Sequence, residues 1–220
     1  MTGPATSTRP GRGVTPCAPP ASTGVRERFA VSRRPVRVLG CSANTITRYG
    51  APVFVFRCTK KLLHRVEPSA ALQGEPPKST TRLGDWYANL LIIQRQQLVL
   101  AVSGVTLLPL LLPAGPFKTM PIRLAEAASQ TLTALGVEGG KIAPEVAAMN
   151  ACFVTTTDSR QVLGMMNDFA KMLPFYLEGA TLTEAALQLA ECPCSPLAMD
   201  SPRRSTVALF GGPSLRLVKG

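Results

Sequence analysis

Apolar and polar positions change period several times along this chain, and each change marks a new element. Val53-Phe54-Val55-Phe56-Arg57-Cys58 is a β-branched and aromatic run, which predicts a strand. Thr59 then stands at an N-cap position before Lys60–Val66, where Leu62, Leu63 and Val66 share one helical face. Pro68 stops that helix. The run 67–82 has no period and reads as a long polar loop. From Leu83 to Pro113 the apolar content is densest. Trp86, Ala88, Leu90 and Ile92 alternate with Tyr87, Asn89, Leu91 and Ile93. Gln94–Gln97 reads as a hairpin tip, Leu98–Val102 as the return strand, and Val105–Leu112 as a further strand with Pro109 inside it.

Beyond Pro113 the period lengthens to that of helices. Pro121–Leu135 and Ile142–Met149 carry apolar residues at helical spacing, with Gly136 as a stop for the first. Cys152–Thr157 returns to strand character. Asp158 or Ser159 caps a helix over Arg160–Phe175, and Thr181 with Glu184 forms a capping box for another, ending near Glu191. The order predicts an α+β (or α/β) domain: a small sheet of three to five strands around the central hairpin, with about four helices packed on it. From Cys192 onward the chain reads as turn and tail.

Composition sharpens the boundaries. Residues 1–52 are rich in Pro, Gly, Ser, Thr and Arg and predict a disordered basic tail. The favoured reading is upstream sequence translated from a misplaced start, with Val53 or Val55 as alternative starts; a basic arm and a transit peptide are the competing readings. The single domain is expected over 53–200, and 201–220 is expected as a second disordered basic tail. The net charge of +11 invites a nucleic-acid reading, but its distribution argues against one. Residues 1–52 hold eight Arg against Glu27 alone, and 201–220 hold four cations and no acid. In the domain the two signs balance at twelve each, so it has no global electrostatic reason to seek phosphate. Leu98–Pro113 is uncharged but shorter than the ~20 residues of a membrane span, and Ser103, Gly104, Thr106 and Pro109 interrupt it. No apolar leader is visible, so a cytoplasmic location with reduced thiols is expected. Cys192-Pro193-Cys194 is too tight for a C-x2-C zinc knuckle, and no cofactor or metal is expected.

No P-loop, G-x-G-x-x-G, G-x-S-x-G or H-E-x-x-H occurs, and any triad chemistry would depend on His64, the only histidine. Three polar clusters interrupt apolar elements and form the candidate site. Thr59, Lys60 and Lys61 follow a strand at a helix start, where anions are favoured. Asp85, Trp86 and Asn89 stand at a strand start. Arg160, Asn167 and Asp168 lie on one helix, where a buried Asn-Asp pair could bond backbone or Arg160. For each cluster a structural use (solvated lysines, a core tryptophan, a satisfied polar pair) competes with a functional one.

Four stretches together carry a resemblance: CTKKLL (58–63), LGDWYANLL (83–91), TTDSRQVLGMMNDF (156–169) and CPCSPL (192–197). The chain over 53–200 resembles an uncharacterised family of bacterial and archaeal domains of unknown function. The resemblance implies a small cytoplasmic prokaryotic domain and carries over no activity and no catalytic residues. The resulting expectation is a non-enzymatic binding or interaction module, with a protein partner or a small anionic ligand and no membrane association. An enzyme acting on a phosphorylated or nucleotide substrate is the alternative, and nucleic-acid association through the basic tails is a further one.

Overall fold

The computed structural model describes residues 53–66 and 75–211. The expected tail 1–52, residues 67–74 with the expected stop at Pro68, and residues 212–220 lie outside them. In chain order the elements are β1 (Phe54–Cys58), α1 (Lys60–Val66), β2 (Trp86–Ile93), β3 (Gln96–Ser103), β4 (Pro109–Pro113), α2 (Met120–Ala134), α3 (Gly139–Ala148), β5 (Cys152–Thr156), α4 (Arg160–Tyr176), α5 (Leu182–Leu189) and α6 (Pro202–Leu209). The five strands form one mixed sheet in the order β4-β3-β2-β1-β5, an α+β arrangement.

The hairpin β2–β3 is the sheet's longest pairing, running from Trp86↔Ser103 to Ile93↔Gln96. Its tip is two residues rather than four, because Gln94 and Arg95 both adopt positive φ, at 49° and 67°. That conformation matches the strand twist and frees Gln96 and Gln97 to join β3. β4 begins later than the apolar pattern suggests, with Pro109 as its first residue on an edge strand, where a missing N–H costs no ladder bond. The stretch weighed as a membrane span is thus β3 and β4. No helix among the described residues is long and apolar enough to cross a membrane.

The period of two in each strand sorts side chains to two faces. On one, Phe54, Phe56, Trp86, Ala88, Leu90, Val99, Leu110 and Leu112 pack with Leu62, Leu124, Leu132 and Ile142 from α1, α2 and α3. On the other, Tyr87, Leu100, Val102 and Leu111 pack with Val162, Met166, Phe169 and Leu173 of α4 and Leu189 of α5. The caps read from sequence form: Ser159 Oγ accepts from Val162 N–H, and Thr181 and Glu184 make the reciprocal capping box.

The domain runs past residue 200. Pro202–Leu209 forms α6, capped by Ser201 Oγ accepting from Arg204 N–H. The pair Arg203-Arg204 hides a helix whose inward side is Thr206 and whose C-cap is the buried Phe210. Thr206 Oγ1 donates to Thr106 Oγ1 at 2.9 Å, a bond a sequence period for apolar residues does not detect.

Candidate functional site

β1 is parallel to both its neighbours, β2 and β5, which both follow it in the chain and join it by different routes. α1 leads from β1 to β2 and packs on the Trp86 face, whereas α4 leads from β5 onto the Tyr87 face. The chain therefore leaves the carboxyl ends of β1 and β5 toward opposite faces. In open α/β sheets the crevice that binds ligands lies at such a divergence, outside the carboxyl ends of the strands.

Polar side chains converge there from four segments. Arg57, near the end of β1, points to the α4 face. Its Nε donates to Asp85 Oδ2 at 2.5 Å and its Nη1 pairs with Asp158 Oδ2 at 2.7 Å. Ser79 Oγ donates to the other oxygen of Asp85, and Tyr87 Oη donates to Asp158 Oδ1 at 2.9 Å. The guanidinium also lies over the Tyr87 ring, 5.8 Å from its centroid. The side chains of Arg57 and Asp85 are only 12% and 23% exposed, while Asp158 is 57% exposed at the crevice mouth. Burial works against the charge on Arg57, but the hydrogen bond it donates to Asp85 and the charges of Asp85 and Asp158 outweigh it, holding the guanidinium protonated beyond its usual range. Burial and the bond to Asp158 push Tyr87 up to about 12, so it is a donor at neutral pH. Three of the four carboxylate oxygens of the cluster accept a hydrogen bond, and the fourth, Asp158 Oδ2, is ion-paired with Arg57.

Above this cluster Thr59 closes the end of β1. Its carbonyl accepts from Leu62 and Leu63 N–H to start α1, but its hydroxyl is not the cap expected from sequence. It donates to Asn89 Oδ1 at 3.0 Å, which fixes the amide of Asn89 on β2 with its NH2 turned away from Thr59.

The sequence-derived candidates separate accordingly. Thr59, Asn89 and Asp85 belong to this end of the sheet, and Arg160 opens α4 beside Asp158 with its side chain exposed. Lys60 and Lys61 are exposed at the start of α1. Trp86 is fully buried in the core on the opposite face, and its Nε1 has no hydrogen-bond partner among the described residues. Asn167 and Asp168 are exposed, and Asp168 pairs with Lys171 at 3.2 Å. They are not a buried pair, because the inward stripe of α4 is Val162, Met166, Phe169 and Leu173. The candidates read from sequence lacked Arg57, Ser79, Tyr87 and Asp158. The available signal was a lone Arg inside a run of apolar strand residues, which must find partners if buried.

Other features lie apart from the crevice. A groove of about 490 Å³ between α2 and α3 is lined by Ser129, Thr133, Ile142, Ala143, Val146 and Asn150 and holds none of the cluster. Buried Cys194 has its thiol pushed up to about 11, mainly by burial. Among the described residues no three His, Cys, Asp or Glu side chains are placed to hold a metal. Neither a curated protein nor a solved structure matches the chain. A family model does match, over residues 55–205, nearly the limits of the folded elements from β1 to α6. The chain therefore belongs to the family described as Domain of unknown function (DUF6933).

Proposed function

We propose that the domain is a non-enzymatic binding module that takes a small anionic ligand in the crevice at the carboxyl ends of β1 and β5. The observation that carries this reading is the Thr59–Asn89 bond, which orients the NH2 group of Asn89 as a donor that has no partner among the described residues. The Arg57–Asp85–Asp158–Tyr87 network below it is saturated and serves as a rigid floor. Lys60, Lys61 and Arg160, exposed at the rims, supply positive charge for an anion. The committed state of both carboxylates favours binding over acid–base catalysis at this position. The test is calorimetric titration of the full chain with inorganic phosphate and with nucleoside mono- and diphosphates. Asn89→Ala and Thr59→Val are expected to weaken the best of these at least about tenfold, the loss of one charge-assisted hydrogen bond. Absence of binding by the wild-type chain, or equal affinity in both variants, would overturn the reading.

A further inference from the structure

Net charge averages over a whole surface, and folding can undo that average. α1 places Lys60, Lys61, His64 and Arg65 within roughly 140° of arc at 3.6 residues per turn. All four side chains are exposed, and no acid lies in the helix. None makes an ion pair among the described residues, whereas Lys141, Lys171 and Arg203 on other elements each pair with a carboxylate. The 3-10 turn Phe117–Thr119 packs beside α1 and adds exposed Lys118. The balanced composition of the domain therefore conceals, among the described residues, a face that carries Lys60, Lys61, Arg65 and Lys118 without an ion-paired acid.

The chemistry of this face narrows its partner. The apolar side of α1 is spent in the core: Leu62 is buried, and Leu63 and Val66 are half-buried against the same cluster. None of the large exposed apolar residues lies on α1. The helix thus has nothing to insert into a membrane and no apolar anchor for a protein interface. It also lacks an exposed aromatic for base stacking. What it offers is cations alone, over about 10 Å, the length of three nucleotide steps along one strand. We propose that the solvent face of α1, with Lys118, is a sequence-independent contact for the phosphodiester backbone of nucleic acid. This goes beyond the small-anion reading of the crevice and reverses the expectation drawn from net charge.

The test is fluorescence anisotropy of the full chain with a 20-base-pair DNA duplex across a salt series. Four proteins are compared: wild type, K60Q/K61Q/R65Q, the charge-keeping K60R/K61R, and the control K141Q/K171Q/R203Q, which removes equal charge from elsewhere. The slope of log K against log salt should fall in magnitude by up to about 2.7 in the first variant, at about 0.9 per phosphate contact, and stay at the wild-type value in the control. K60R/K61R, which keeps the charge, should keep the slope and guards against a folding defect. Equal slopes in all proteins, equal losses in both triple variants, or no duplex binding beside patch-dependent binding of an oligoglutamate peptide would each overturn the proposal.

Discussion

Replacing Arg57 by Met removes the one cation that joins two carboxylates at the floor of the crevice. Met keeps most of the aliphatic stem, so the loss is electrostatic rather than steric. Removing one partner of a buried ion pair costs about 3–5 kcal/mol, because a desolvated charge is left behind. An exposed pair is worth about 0–1 kcal/mol. Arg57 and Asp85, at 12% and 23% exposed, stand nearer the first case, and Asp158, at 57%, nearer the second. The expected destabilisation for Arg57→Met is therefore about 2–3 kcal/mol, and for Asp158→Asn below about 1 kcal/mol. For a domain of this size the former lowers the melting temperature by roughly 4–12 °C. Arg57→Lys should recover little, since a single ammonium cannot reach Asp85 and Asp158 with the fork that Nε and Nη1 provide. Urea unfolding of the single variants and of Arg57→Met/Asp85→Asn measures the coupling. The double variant is expected to be less destabilised than the sum of its parts by about 1 kcal/mol or more. A loss for Arg57→Met no larger than that for Asp158→Asn would refute the reasoning.

The other predictions concern the core and the strand ends. Trp86→Phe deletes a buried N–H that has no partner among the described residues, so urea unfolding should show a cost below about 1.5 kcal/mol, whereas Trp86→Ala should cost about 3–5 kcal/mol. Gly84→Ala meets two penalties, a φ of +72° and a Cβ 2.7 Å from Val105 Cγ2, and a drop of about 1–3 kcal/mol is expected on thermal unfolding. Tyr87 holds its proton more tightly folded than unfolded. Its contribution is therefore complete below pH about 10 and lost as pH rises to about 12, and Tyr87→Phe should abolish that segment of the stability–pH curve.

Local chemistry was readable where it acts over a few residues. The capping box at Thr181–Glu184, the Ser159 cap and the strand character of 54–58 all follow from neighbours within one turn or strand. The site was only partly readable, because its bonds span the chain. Arg57 meets Asp85 and Asp158, and Thr59 meets Asn89, only once β1 is laid parallel between β2 and β5. No period in the sequence specifies that strand order. Asn167 and Asp168 show the opposite case: the apolar stripe of their own helix already turns them to solvent. α6 escaped notice because Arg203-Arg204 open it and its most buried inward contact along the helix is a threonine pair, with Val207 and Leu209 only partly buried against the core.

The central claim is that the crevice at the ends of β1 and β5 receives a small anion. Amide shift mapping of the full chain during titration with inorganic phosphate tests it most directly. The account predicts the largest shifts at Thr59–Lys61, Asn89 and Thr157–Arg160. Shifts concentrated in the α2–α3 groove, at Thr133, Ile142 and Val146, or no saturable shift at the strand ends, would contradict it.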